Sequence, residues 1–220
     1  MGRVIAFDVN ETLLDLGALD PHFERAFGSA AVREQWFGQM LQLAFVGGLT
    51  GRYVDFGAAQ GAALAMLAER HGVEVDVEEV VGAMSSLPPH GDAAEALDAL
   101  RAAGLPLAAL TNSTLAVAQA QLRSAGLADR FDAILSADEV RALKPRCEPY
   151  ELVARRFDVQ LRDVRLVAAH AWDIAGAQAA GCAAAFVARP GKVLSPLGER
   201  PDVVGKDLRD VAAQIVALGG

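Results

Sequence analysis

Two hydrophobic periods alternate along this chain. Short apolar runs at Val4–Phe7, Leu107–Leu110, Ala133–Leu135, Arg165–Ala168 and Ala183–Val187, with a shorter one at Asp202–Val204, predict strands buried inside a parallel sheet. After Asp92, stretches at helical spacing fall between these runs. They predict helices over Asp92–Ala103 closed by Gly104, up to Ala125 closed by Gly126, over Pro149–Phe157, up to Gly181, and over Asp207–Leu218. Strand–helix alternation implies a parallel sheet with right-handed crossovers.

The first gap is different. Between Leu16 and Leu87 no strand pattern occurs. Asp20-Pro21 reads as an N-cap with Pro at the first helical position, opening a helix to Phe27. Val32–Val46, Gly51–His71 and Asp76–Met84 continue as helical stretches, and Pro88-Pro89 marks the exit. The expected organisation is an α/β body over 1–15 and 89–220, with a helical domain over 16–88 inserted after the first strand. The connections at Leu14–Leu16 and Leu87–Asp92 are the expected hinges.

Polar residues gather where the strands end: Asp8, Thr111-Asn112, Lys144, and His170 with Asp173. Open α/β sheets bind ligands outside the carboxyl ends of their strands, so these positions predict one site. Taken singly, each has an alternative use, as a helix cap, a turn residue or a solvated loop charge. A carboxylate at such a strand end can serve as a nucleophile or as a metal ligand.

Composition narrows the partners. The formal net charge is -8, which disfavours nucleic acid and anionic membranes. An anionic substrate would need local positive groups. Hydrophobic residues make up 53%, enough for a sizeable core. Cys147 and Cys182 lack CxxC or Cys/His spacing, so zinc is not implied and reduced thiols are expected. With no signal-peptide pattern before Asp8 and no unbroken apolar span, the expected location is cytoplasmic.

The stretch Val4 to Leu14, an apolar strand, Asp8, and a turn ending in Thr12-Leu13, resembles the first motif of the haloacid dehalogenase (HAD) superfamily. Leu110-Thr111-Asn112-Ser113 is similar to its second motif, Lys144-Pro145, with Tyr150 following, to its third, and Trp172-Asp173 to its fourth. Ala171-Trp172-Asp173 and Gly51 to Phe56 resemble the L-2-haloacid dehalogenase branch in particular. The resemblance implies a HAD-like Rossmannoid parallel sheet flanked by helices, with a helical cap domain after the first strand. It implies hydrolytic removal of halide from a small 2-haloalkanoic acid through an ester on Asp8.

The resemblance also assigns roles. Lys144 would keep Asp8 ionised, Thr111 would donate to the same carboxylate, and Asp173 would orient Lys144 and the hydrolytic water. Asn10, Phe37, Asn112, His170 and Trp172 are the expected substrate-contacting positions. No cofactor and no metal are implied, and members of the branch are often homodimers. The apolar stretch Trp36–Leu49 could form core and cleft wall or face a second subunit.

Three departures stand out. Asn10 replaces the acid that phosphatases of the superfamily use to protonate a leaving group; halide needs no proton. Phe37 falls where characterised members of the branch carry a substrate- and halide-binding Arg. His170, in Ala168-Ala169-His170, falls where they carry Asn. Two other readings follow: a Mg2+-dependent phosphatase, and a non-catalytic metabolite-binding protein on the same scaffold.

Overall fold

In the computed structural model, which describes residues 4–219, the sheet is built outward from β1 (Val4–Phe7), buried along its whole length. β2 (Leu107–Thr111), β3 (Ala133–Ser136), β4 (Val164–Ala168), β5 (Ala183–Val187) and β6 (Val203–Gly205) complete it in the order β3-β2-β1-β4-β5-β6, all parallel. The order reverses at β1, which opens a crevice at its carboxyl end. Phe7 pairs with Ala109 on one side and Val167 on the other, so Asp8, Thr111 and the segment after Ala168 emerge together.

Strand alternation sends Val4 and Ala6 to one face, Ile5 and Phe7 to the other. The first face packs on α7 (Cys147–Phe157) and α8 (Ala171–Ala179) through Tyr150, Val153 and Ile174. The second packs on α5 (Ala93–Ala102) and α9 (Leu208–Ala217) through Leu97, Leu100, Val211 and Ile215. α6 (Leu115–Ser124) follows β2.

Between β1 and α5 the described residues form α1 (Asp20–Phe27), α2 (Val32–Leu49), α3 (Phe56–His71) and α4 (Val77–Ala83), with short 3-10 turns. Their apolar core is continuous with the second sheet face, through Trp36, Met40 and Leu64. Trp36 Nε1 donates to Gln60 O at 2.9 Å, pinning α2 to α3. The two connections into this block lie side by side: Leu14 bridges Pro89, and Asp15 N donates to Pro88 O at 2.8 Å.

Local details differ from expectation. α3 starts at Phe56, capped by the Asp55 side chain on Ala58 N, because Gly51 turns left-handed (φ 69) and breaks the helix before it. Asp20 is not a cap; it is the first residue of α1, and its carboxylate takes Arg33 Nε at 2.5 Å. Asp92 makes no cap bond either. It takes Arg189 Nη1 and Nη2 at 2.8 and 2.9 Å and Leu208 N at 2.7 Å, while Arg189 also donates to Thr12 O. That buried pair ties the turn after β1 to α5 and α9. Both cysteines are free thiols, Cys182 buried and pushed up to about 12 by burial and by Asp173.

Gly176 lets α8 approach the Lys144 loop. A Cβ there would lie 2.5 Å from Pro145 Cβ and 2.6 Å from Tyr150 Oη. Gly176→Ala is expected to cost about 1–3 kcal/mol of stability. Urea unfolding should show a lower midpoint at unchanged slope, with activity reduced because Lys144 moves with Pro145.

Candidate active site

Asp8 is the first residue beyond β1 and is 5% exposed. Lys144 reaches it from the loop before α7, with Nζ 2.9 Å from Asp8 Oδ1, 2.6 Å from Asp173 Oδ2 and 3.0 Å from Leu110 O. All three ammonium protons are therefore used. The Lys144 backbone is clamped by one amide: its N–H donates to Asn112 Oδ1 at 2.8 Å, and Asn112 Nδ2 donates to Lys144 O at 3.3 Å. Tyr150 Oη donates to Asp173 Oδ1 at 2.6 Å.

These contacts set the protonation states. Burial pushes the Asp8 carboxyl up, but Lys144 and then His170 outweigh it and hold it well below the usual range. Burial pushes Lys144 down, while Asp173 and Asp8 more than restore it, so it stays an ammonium. Asp173 is raised by burial, with Lys144 opposing, and is the less acidic of the two carboxylates.

The other oxygen of Asp8 has its own partners. Thr12 Oγ1 donates to Oδ2 at 2.7 Å and itself accepts Ala169 N at 3.0 Å. His170 Nδ1 lies 3.1 Å from the same Oδ2, and His170 Nε2 lies 2.8 Å from Glu11 Oε2. Ionised carboxylates only accept, so both ring nitrogens carry protons and the ring is an imidazolium. Burial lowers its pKa, but the bonds to Asp8 and Glu11 push it up to about 9. The ring is stacked between Phe37 and Trp172, each with its centroid at 5.4 Å. Glu11 also takes Lys192 Nζ at 2.7 Å, with Arg33 Nη1 at 3.7 Å.

Asp8, Asn10, Phe37, Phe56, Thr111, Asn112, Lys144, His170 and Trp172 line one small cavity of about 10 Å³. That is room for about one water. Every predicted site residue but Asp173 lines it, and Asp173 lies behind Lys144. Two roles change. The bond to Asp8 expected of Thr111 is made by Thr12; Thr111 Oγ1 instead accepts Ser113 N at 3.1 Å. The Asn112 side chain holds the Lys144 backbone, leaving at most one amide proton for a substrate. Glu11, Lys192 and Arg33 were not among the predicted site residues. Arg33 lies outside this cavity, in a separate polar one of about 540 Å³ shared with Glu11, Phe37, Arg189 and Lys192. Arg52 is exposed.

The residues do not suit Mg2+. The Lys144 ammonium already bonds one oxygen of Asp8 and one of Asp173, supplying between them the positive charge that a divalent cation would otherwise bring. No group of three or more His, Cys, Asp or Glu arranged to hold a metal occurs among the described residues.

A doubly wound parallel sheet with a buried aspartate at the end of its central strand, and a fixed ammonium beside it, is an arrangement suited to a hydrolase. Residues 3–181 match the family described as haloacid dehalogenase-like hydrolase, and the chain belongs to that family. It is 30% identical over 221 residues to an (S)-2-haloacid dehalogenase of Pseudomonas sp. (strain YL), covering 98% of this chain and 95% of that one. It is 33% identical to an (S)-2-haloacid dehalogenase of Xanthobacter autotrophicus, over 86% of this chain and 76% of the relative. The structure of L-2-haloacid dehalogenase from Xanthobacter autotrophicus with chloropropionic acid covalently bound superposes with a TM-score of 0.92, at 28% identity, covering 99% and 100% of the two chains. Among the described residues no helix is long and apolar enough to cross a membrane.

The site's ion balance predicts that mild acid narrows the stability gap between Lys144→Met and the parent. In Lys144→Met, Asp8 and Asp173 face each other with no cation, and stability near pH 7 should fall by about 3–5 kcal/mol. At least one carboxyl then has a folded pKa raised above its unfolded value, so lowering the pH toward about 5 should recover part of the loss. In the parent the depressed Asp8 keeps its contribution down to the usual carboxylate range, and His170, raised in the fold, adds stability in both proteins as pH falls from about 7 to about 5. Urea melts of both proteins at the two pH values should therefore show the variant's deficit shrinking at the lower one.

Proposed function

We propose that the protein removes halide from a small 2-haloalkanoic acid without a metal, by way of an ester on Asp8. The observation that carries this reading is the setting of Asp8: buried, facing a small cavity, with the Lys144 ammonium 2.9 Å from its Oδ1. Asp8 Oδ1 displaces halide from the C2 carbon with inversion, forming the C–O bond as the C–X bond breaks. Water then adds to the Asp8 carbonyl carbon, and the hydroxy acid leaves. Halide departs without a proton, so Asn10 in place of an acid is no handicap. Asn10 is itself oriented, taking Gln121 Nε2 on its Oδ1 at 3.0 Å and donating to Ser113 Oγ at 3.4 Å.

The binding roles follow from spare donors. The remaining amide protons of Asn10 and Asn112, and the N-terminus of α6 just beyond them, suit the substrate carboxylate. The Trp172 indole N–H is buried without a partner among the described residues, and it suits the departing halide. Phe37 supplies no charge and narrows the cavity, which favours substrates with little or nothing on C2 beyond the halogen. The helical block 16–88 acts as a cap that must open to admit them, the α/β body being 1–15 and 89–220. Val46 and Leu49, exposed near the end of α2, are the apolar positions we assign to contact with a second copy of the chain.

The test is halide release from 2-chloro, 2-bromo and fluoro acids in chelator, beside phosphate release from phosphate esters with Mg2+. The expected result is metal-independent halide release that Asp8→Asn abolishes. Magnesium-dependent phosphate release without halide would overturn the proposal.

A further inference from the structure

We propose that His170, kept as an imidazolium by Glu11, stabilises the oxyanion that forms on Asp8 Oδ2 when water adds to the aspartyl ester. The inference rests on the dehalogenase reading above and assigns two further residues to its second step.

The two oxygens of Asp8 are not equivalent. Oδ2 accepts two hydrogen bonds, from Thr12 and His170, which uses both of its lone-pair directions. Oδ1 accepts one, from Lys144, and keeps a free lone pair. Oδ1 is therefore the oxygen that attacks carbon, and Oδ2 becomes the carbonyl oxygen of the ester. When water adds to Cγ, the C=O pair moves onto Oδ2, where two donors already stand at hydrogen-bond distance. Collapse restores that C=O bond and breaks Cγ–Oδ1. One proton of the water ends on the alkoxide of the hydroxy acid. The other is released as Asp8 returns as a carboxylate. The imidazolium keeps both of its protons throughout.

Glu11 matters because of what alkylation does. In the resting site His170 has two anionic partners, Asp8 and Glu11. Once Asp8 is an ester its charge is gone, and Glu11 is the counter-ion left in contact with the ring among the described residues. Phe37 and Trp172 face it from either side and offer no charge; Lys144, with Asp173, stands at the other oxygen of Asp8. Without Glu11 the ring would lose its proton just when the oxyanion needs it. The backbone points the same way. Glu11 is left-handed (φ 62), a conformation that favours glycine, yet a buried glutamate occupies it, bonded to His170 and Lys192 with Arg33 close by.

Glu11→Gly and Glu11→Gln test this by separating the two chemical steps. Glycine suits the backbone there, so that variant should fold even if glutamine does not. Pre-steady-state mixing with a bromo acid should still give a burst of roughly one halide per protein at near parental rate. Steady-state turnover should fall by about 10²–10³-fold, the loss typical of a removed oxyanion donor. Mass spectrometry should find the ester accumulating on the Asp8 peptide. The alkaline limb of turnover follows His170 in the ester, where the contribution of Asp8 is lost, so in the parent it should lie below the resting value of about 9 and move lower still in both variants, since Glu11, the other acceptor that raised the His170 pKa, has gone. Burst and turnover falling together, or turnover unchanged, would overturn this role while leaving the dehalogenase reading intact. No halide release from the parent protein, in the burst or at steady state, would overturn both.

Discussion

Asp8, Asp173 and Glu11 are carboxylates withdrawn from water, and such groups stay ionised only if cations are withdrawn with them. Lys144 serves the first two, and His170 joins Asp8 to Glu11, whose outer side meets Lys192. The three anions and three cations balance, and much of the local fold works to hold them in register. Asn112 clamps the Lys144 backbone, Leu110 O takes its third proton, and Gly176 leaves space for Pro145 and Tyr150. Arg189, through Asp92 and Thr12 O, fixes the turn that carries Glu11 and Thr12. The charge on Asp8 is thus a property of residues drawn from five strand ends.

The architecture was largely legible because its signals are local. Apolar runs, glycine stops and the long helical gap mark strands, helices and insertion without reference to tertiary contacts. The line of polar residues at strand ends marked the site for the same reason, since a parallel sheet brings all carboxyl ends to one edge. What escaped depends on turn shape. Thr12 rather than Thr111 reaches Asp8 because the chain after β1 turns back through Glu11 and Leu14, and Glu11 N donates to Leu14 O at 2.8 Å. Nothing in residue spacing foretells that turn. Lys192 and Arg189 lie far along the chain, after β5, in a loop with no pattern to mark them. Asp92 and Asp20 look like caps by type and position, but the guanidinium groups of Arg189 and Arg33 compete for them and win.

The stack Phe37–His170–Trp172 joins two departures from the branch's pattern into one feature. An aromatic side chain in place of the Arg removes a cation from the cavity, and the imidazolium restores one on the nucleophile's side. On the proposed function, such a site would hold its substrate by shape and amide donors, and its positive charge would serve the step in which negative charge develops on Asp8.

The central claim, that Asp8 gives its own oxygen to the product, is tested most directly by a single turnover in 18O-labelled water with protein in excess. The account predicts hydroxy acid containing unlabelled oxygen at C2, with the label in the peptide carrying Asp8. Label in the hydroxy acid and none in that peptide would mean that water attacks the carbon directly, and would contradict it.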